Sequence, residues 1–163
     1  MNAEPFTAPS YDIEGAELSP IEPDTAEALG AAIAAIEPWR TLGFGAPDLA
    51  RFLAREERGA RKLAIVTPGG VAGAVCLRHP FLRGAYLELL AILPAHQGRG
   101  LGHRIIDWTV AETSGRVGNL WTCVSAFNSR ALAFFEKQGF RRVGALPDLV
   151  RDGFSEIFLR RRL

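Results

Sequence analysis

The stretch "AILPAHQGRGLGHRII", from Ala91 to Ile106, constrains this chain more than any other. An apolar run suited to a buried strand passes through glycines at 98, 100 and 102 into a helical pattern. Such a turn points successive backbone N–H groups at one spot, at the positive end of the helix dipole. Without Cβ atoms in the way, a bulky anion such as a diphosphate can reach the main chain. A strand, a glycine turn and a helix built to hold an anion are therefore expected here.

Two familiar anion loops are excluded or weakened by the residues themselves. A Walker loop needs a lysine followed by serine or threonine, and neither pair occurs in the chain. A dinucleotide fingerprint needs a third glycine where His103 stands, and no acidic residue ends a second strand at the expected distance. A glycine turn that binds nothing accounts for one or two of the glycines and stays open as an alternative.

The flanking sequence supplies the rest of a single domain. A strand is expected over 11–18, followed by a helix capped by Asp24 and ended at Pro38, and a second helix in "APDLARFLAREERG" before Gly59. Three β-type runs follow, "RKLAIVT", "VAGAVCLRH" and "GAYLELLAIL", the first two close enough for a hairpin. The glycine turn leads into a helix over about 100–114, then a strand "NLWTCVSAF", a short helix "SRALAFFEKQ" and a terminal hairpin. The order βααβββαβαββ implies a mixed α/β (α+β) sheet with helices on both faces. Residues 1–10, rich in Pro and Ala, are expected as a flexible tail, with one domain over 11–163.

Composition narrows the function. The chain has 48% hydrophobic and 23% charged residues with a net charge of +1, so bulk charge gives no reason to expect a nucleic-acid partner. No leader-like segment opens the sequence, and its longest apolar run, "ALGAAIAAI", is too short to span a membrane. Cys76 and Cys123 form no CxxC pair, so neither a metal nor a disulfide framework is expected. A cytoplasmic protein, monomeric or homodimeric, is the expectation.

Asn128 opens a second motif, "NSRALAFFEKQGF", 26 residues beyond Gly102. Together the two stretches resemble motifs A and B of the GCN5-related N-acetyltransferases (GNAT): Gln97, Gly100 and Gly102 match the first, and Asn128, Arg130, Ala131 and the Gly-Phe ending match the second. The resemblance implies a mostly antiparallel GNAT-type sheet, acetyl-CoA as co-substrate, no metal, and a small-molecule or peptide amine as acceptor. It further implies that Gln97, Gly98, Arg99, Gly100, Leu101 and Gly102 hold the pyrophosphate, with Asn128 and Arg130 alongside. Main-chain groups of Ala91 and Ile92 would pair with the pantetheine arm, the Ile92 amide also holding the thioester carbonyl.

The resemblance departs from its pattern at one place. Relatives commonly carry a tyrosine in motif B that protonates the leaving thiolate, and this chain has Phe135 there. A non-catalytic acetyl-CoA sensor or structural module is therefore the alternative to an acyltransferase. On a regular strand Tyr86, Glu88, Leu90 and Ile92 share one face, which makes Glu88 a candidate general base acting through water; a structural ion pair with Arg78 is the equal alternative. Cys123 has no activating neighbour in sequence, which favours direct attack in a ternary complex over an acyl-cysteine. Trp39, Tyr86 and Glu88 are the substrate-side candidates, with Arg40, Phe44, Asp148 and Asp152 around them.

Overall fold

A computed structural model describes residues 4–163. Eight strands form one sheet in the order β1-β2-β3-β4-β5-β6-β8-β7: β1 Tyr11–Ile13, β2 Ala16–Pro20, β3 Ala60–Thr67, β4 Gly70–Phe81, β5 Gly84–Ile92, β6 Asn119–Ser125, β7 Arg141–Pro147 and β8 Ser155–Arg162. All neighbours are antiparallel except β5 and β6. That parallel pair needs a crossover, which α4, Leu101–Thr113, supplies.

Helices cover both faces. On the front, α1 (Pro23–Ala34) and α3 (Ala46–Ala54) bury Leu29, Ile33, Leu49 and Leu53 against Ala64, Ala74, Cys76, Leu89 and Ala91. On the back, α4 and α5 (Ser129–Lys137) bury Leu101, Ile105, Ile106, Leu132 and Phe135 against Leu63, Val75, Leu87, Leu120 and Leu159. Gly30 lets α1 approach α3: a Cβ there would lie 2.7 Å from Ala46 O and Ala50 N. Among the described residues, no helix is long and apolar enough to cross a membrane.

Several local expectations change. The single early strand is a hairpin, because Gly15 at φ +76° turns the chain after Ile13. Asp24 sits within the first turn of α1 and caps nothing; the N-cap is Glu22, without a side-chain bond. A one-turn helix α2, Trp39–Leu42, lies between the two expected ones. The expected tail is also held down, as far as it is described. Phe6 is buried in the back core beside Trp108, Arg61 donates to the Ala8 and Pro9 carbonyls, and Ala8 N donates to Tyr11 Oη. Residues 1–3 lie outside the described residues.

The largest departure lies within β5. Cys76 pairs with Leu89 and Leu77 with Leu87, leaving Glu88 as an extra residue, a β-bulge. The bulge shifts the alternation by one residue. Ala85 and Leu87 face the back, and so do Leu90 and Ile92, while Leu89 and Ala91 face the front. Glu88 and Ile92 therefore do not share a face, contrary to the two-residue period.

Candidate active site

The glycine turn has the geometry its spacing implies. Gly98 and Gly100 adopt φ of +74° and +75°, conformations that other residues rarely take. Among the described residues, none of the six backbone amides from Gly98 to His103 has an acceptor. The first main-chain bond into α4 comes from Arg104 N to Gly100 O. Six unpartnered donors at the start of a thirteen-residue helix make a cradle for an anion. Gly102 is confined as well, because a Cβ there would lie 3.3 Å from the Phe134 ring.

Beside the turn the sheet opens. Strands β5 and β6 pair only from Ala85↔Leu120 to Leu87↔Thr122. Thr122 Oγ1 donates to Leu87 O at 2.9 Å, and past that point the strands part. The parting starts at the bulge, and leaves residues 88–92 with one edge free of strand partners. Gln97 braces the end of β5, its Nε2 donating to Ile92 O at 2.8 Å, while Arg130 Nη1 reaches Gln97 Oε1 at 3.4 Å. Asn128 caps α5 by accepting from Ala131 N.

The turn and the free end of β5 line one cleft of about 750 Å³. Its walls include Ala91, Ile92, Gln97, Gly98, Gly100, Leu101, Gly102, Asn128 and Arg130, with Phe134 and Phe135 beneath and Ile36 to Arg40 opposite. A phosphate cradle at one end and an unpaired strand edge at the other fit a long anionic thioester. The family model described as "Acetyltransferase (GNAT) family" matches residues 19–140.

The chain belongs to the GNAT acetyltransferase family.

Solved structures agree with the GNAT fold. An acetyltransferase from Thermus thermophilus superposes with a TM-score of 0.72 at 26% identity, covering 94% of this chain and 100% of that one. Spermidine N-acetyltransferase from Vibrio cholerae, in complex with CoA and spermine, gives 0.68 at 15% identity, covering 91% and 96%. In sequence, the [ribosomal protein bS18]-alanine N-acetyltransferase of Escherichia coli (strain K12) is 33% identical over 76 residues, 46% of this chain and 51% of that protein. The chain thus spans about half the length of the curated relatives it matches.

The remaining sequence candidates of this GNAT fold separate. Trp39 and Arg40 line the cleft, Arg40 being paired with Glu37 at 2.7 Å. Arg99, Tyr86 and Glu88 do not line it. Glu88 meets Arg78 Nε at 2.8 Å, a close ion pair whose N–H is not aligned for a hydrogen bond. Arg78 also holds Glu57, which in turn binds Lys62. The negative charge of Glu88 is thus already balanced within the sheet, as its structural alternative requires. Phe44 is exposed, and Asp148 accepts from Gly153 N in the β7–β8 connection.

Cys123 and Tyr86 face each other on the front. Burial raises the Cys123 thiol above its ordinary range, offset by the Tyr86 hydroxyl and reinforced by Glu156. Burial likewise raises Tyr86, helped by Cys123, Glu88 and Glu156. Neither group is poised to ionise near neutral pH. Sequence reading passed over Glu156, although it alternates with Phe158 on one face of β8, and an aromatic on the same side signals a covered surface. Among the described residues, no group of three His, Cys, Asp or Glu side chains is placed to hold a metal ion.

Proposed function

We propose that the chain transfers an acetyl group from acetyl-CoA to a primary amine by direct attack in a ternary complex. The run of acceptor-free amides from Gly98 to His103, opening onto the parted strands, carries this reading. In it the amides of Gly98 to Gly102 receive the pyrophosphate, Arg99 and Arg130 add positive charge, and Asn128 borders the arm. Ala91 and Ile92 offer the free edge of β5 to the pantetheine, whose amides would act as a short added strand. When bound, the co-substrate supplies the activated acetyl group. The chain supplies position, which alone is worth roughly 7–11 kcal/mol of barrier.

An amine acceptor is supported by the relatives, whose names describe acetylation of a protein alanine and of spermidine. Trp39 on α2 stands where such an acceptor would enter. Direct attack is favoured over an acyl-cysteine because burial holds Cys123 in its thiol form. Phe135, which lines the cleft without a hydroxyl, supports the second reading, a sensor that binds acetyl-CoA without turnover. Calorimetry with acetyl-CoA, CoA and NAD tests binding, and amine-dependent CoA release over an amine and peptide panel separates enzyme from sensor. Saturable NAD binding without CoA binding would overturn the assignment; ping-pong kinetics with acetyl on Cys123 would overturn direct attack.

A further inference from the structure

Glu156 is the one charged residue among the described residues that is fully buried, with 5% of its surface exposed. Five less buried glutamates have cationic partners: Glu37 has Arg40, Glu57 has Lys62 and Arg78, Glu88 has Arg78, Glu112 has Arg116, and Glu136 has Arg142. Glu156 has none. Its Oε1 accepts from Ser125 Oγ at 2.8 Å, while Oε2 has no partner among the described residues yet is not sealed from solvent. A buried carboxylate without a cation is costly to keep, so a cation arriving from outside is the natural complement.

Its place in the sheet fits such an arrival. Ser125, its partner across β6 and β8, lies three residues beyond Thr122, where the parallel pairing ends. On β5 the same advance from Leu87, with the bulge added, reaches Ala91, a front-facing residue of the cleft wall. Counted by register, Ser125 and Glu156 come level with Ala91 on the front face, beside the cleft rather than among its lining residues. The β7–β8 connection bends over this side, where Arg151 Nη1 donates to Thr41 O of α2 at 3.2 Å. Trp39, on the same helix, borders the cleft.

We propose that Glu156 takes the proton from the acceptor's ammonium group, resting on the acetyl-transfer reading above. The ammonium gives one proton to Oε2. The neutral nitrogen attacks the thioester carbonyl, the C–N bond forms, the C–S bond breaks, and the nitrogen's second proton accompanies the departing thiolate. Glu156 then returns its proton to solvent. Burial raises its carboxyl above the ordinary range and the Ser125 hydroxyl lowers it, a balance suited to accepting a proton from an amine. The titratable neighbours are Tyr86 from β5 and Cys123 from β6, both raised by burial; the neighbour from β7 is Leu146.

The test compares pH profiles of kcat/KM for wild type, Glu156→Gln, Glu156→Asp, Ser125→Ala and Glu88→Gln, with spermidine and a short alanine-leading peptide as probe acceptors. Glu156→Gln is expected to lower kcat/KM by about 10²-fold or more and to abolish the acidic limb, leaving the KM for acetyl-CoA unchanged. Glu156→Asp should restore part of the rate. Ser125→Ala removes a bond to the ionised form, so it should move the acidic limb to higher pH without erasing it. An acidic limb that survives in Glu156→Gln, or that is lost in Glu88→Gln instead, overturns the proposal. Wild-type protein that binds acetyl-CoA but acetylates neither probe overturns the transfer reading and this assignment together; loss confined to Glu156→Gln cannot be mistaken for that.

Discussion

Two substitutions at Gly100 separate the shape of the anion cradle from its charge. Gly100 is the N-cap of α4 at φ +75°, and a Cβ there would lie 3.4 Å from Arg104 Nη1. The arginine tip can swing away, so Gly100→Ala bears mainly the left-handed backbone cost of about 1–2 kcal/mol for an L-residue. At roughly 2–4 °C per kcal/mol in a chain of this size, its Tm should fall by about 2–8 °C. If the turn keeps its shape, acetyl-CoA affinity should fall by no more than about tenfold, the affinity equivalent of 1.4 kcal/mol. Gly100→Glu carries the same backbone cost and adds a carboxylate beside the diphosphate. At about 4 Å and an effective dielectric near 20, that repulsion is about 4 kcal/mol, or roughly a further 10³-fold. Calorimetric titration of both variants with acetyl-CoA, at low and high ionic strength, measures the gap. It should be wide at low salt and narrow as salt screens the charge. Equal affinities for the two variants would refute the reasoning, because the diphosphate could not then lie against the amides.

Phe135→Tyr should raise kcat if protonation of the thiolate limits turnover, with Tm held only if the new hydroxyl reaches the cleft that this otherwise buried residue lines; unchanged kcat with a Tm loss of several degrees would mean an unpaired buried hydroxyl, which costs about 1–3 kcal/mol. Gly30→Ala should destabilise the fold in urea titrations, since its Cβ would lie 2.7 Å from the α3 backbone, and overpacking costs about 1–3 kcal/mol against a helix-propensity gain of about 1. Hydrogen bonding to Lys62, with added attraction from Lys62 and Arg78, lowers Glu57 from 4.5 to about 2. Its stabilisation is therefore complete above the ordinary value and lost as pH falls toward 2, so Glu57→Gln should flatten the acid side of a Tm–pH curve. Glu156, raised by burial, works in the opposite sense: its contribution is complete below the ordinary carboxylate value and lost as pH climbs through the raised one. Glu156→Gln should thus gain Tm relative to wild type at neutral pH even as it loses activity.

The glycine turn was legible because its geometry is a main-chain matter. Glycine at 98 and 100 reports a backbone need directly, which shows as left-handed turns and free amides, while Gly102 answers to the close approach of the Phe134 ring. Asn128 was legible for a similar reason, as a short polar side chain that caps a helix start. The face that each β5 side chain takes depends on register, which sequence does not print. "YLELLAI" reads as regular alternation, and nothing in it marks Glu88 as the residue opposite no partner. Phe6 was lost to composition, because one aromatic among prolines and alanines anchors the segment by a long-range contact with Trp108. Glu156 escaped because a glutamate near the chain's end resembles a solvated one until β7 and β6 close around it.

The bulge at Glu88 also makes β5 sensitive to length in a way that composition does not reveal. Removing Glu88 would restore plain alternation without moving any apolar side chain to the other layer: Leu87 and Leu89 already pair with consecutive β4 residues, so Leu89 and Ala91 would keep the α1–α3 layer and Leu90 and Ile92 the α4–α5 layer. With every apolar side chain in its present layer, such a deletion need not expose grease to water. Its effect would fall on the neighbouring strand: without the bulge, β5 can pair with β6 further along, leaving a folded protein with the gap between those two strands zipped closed.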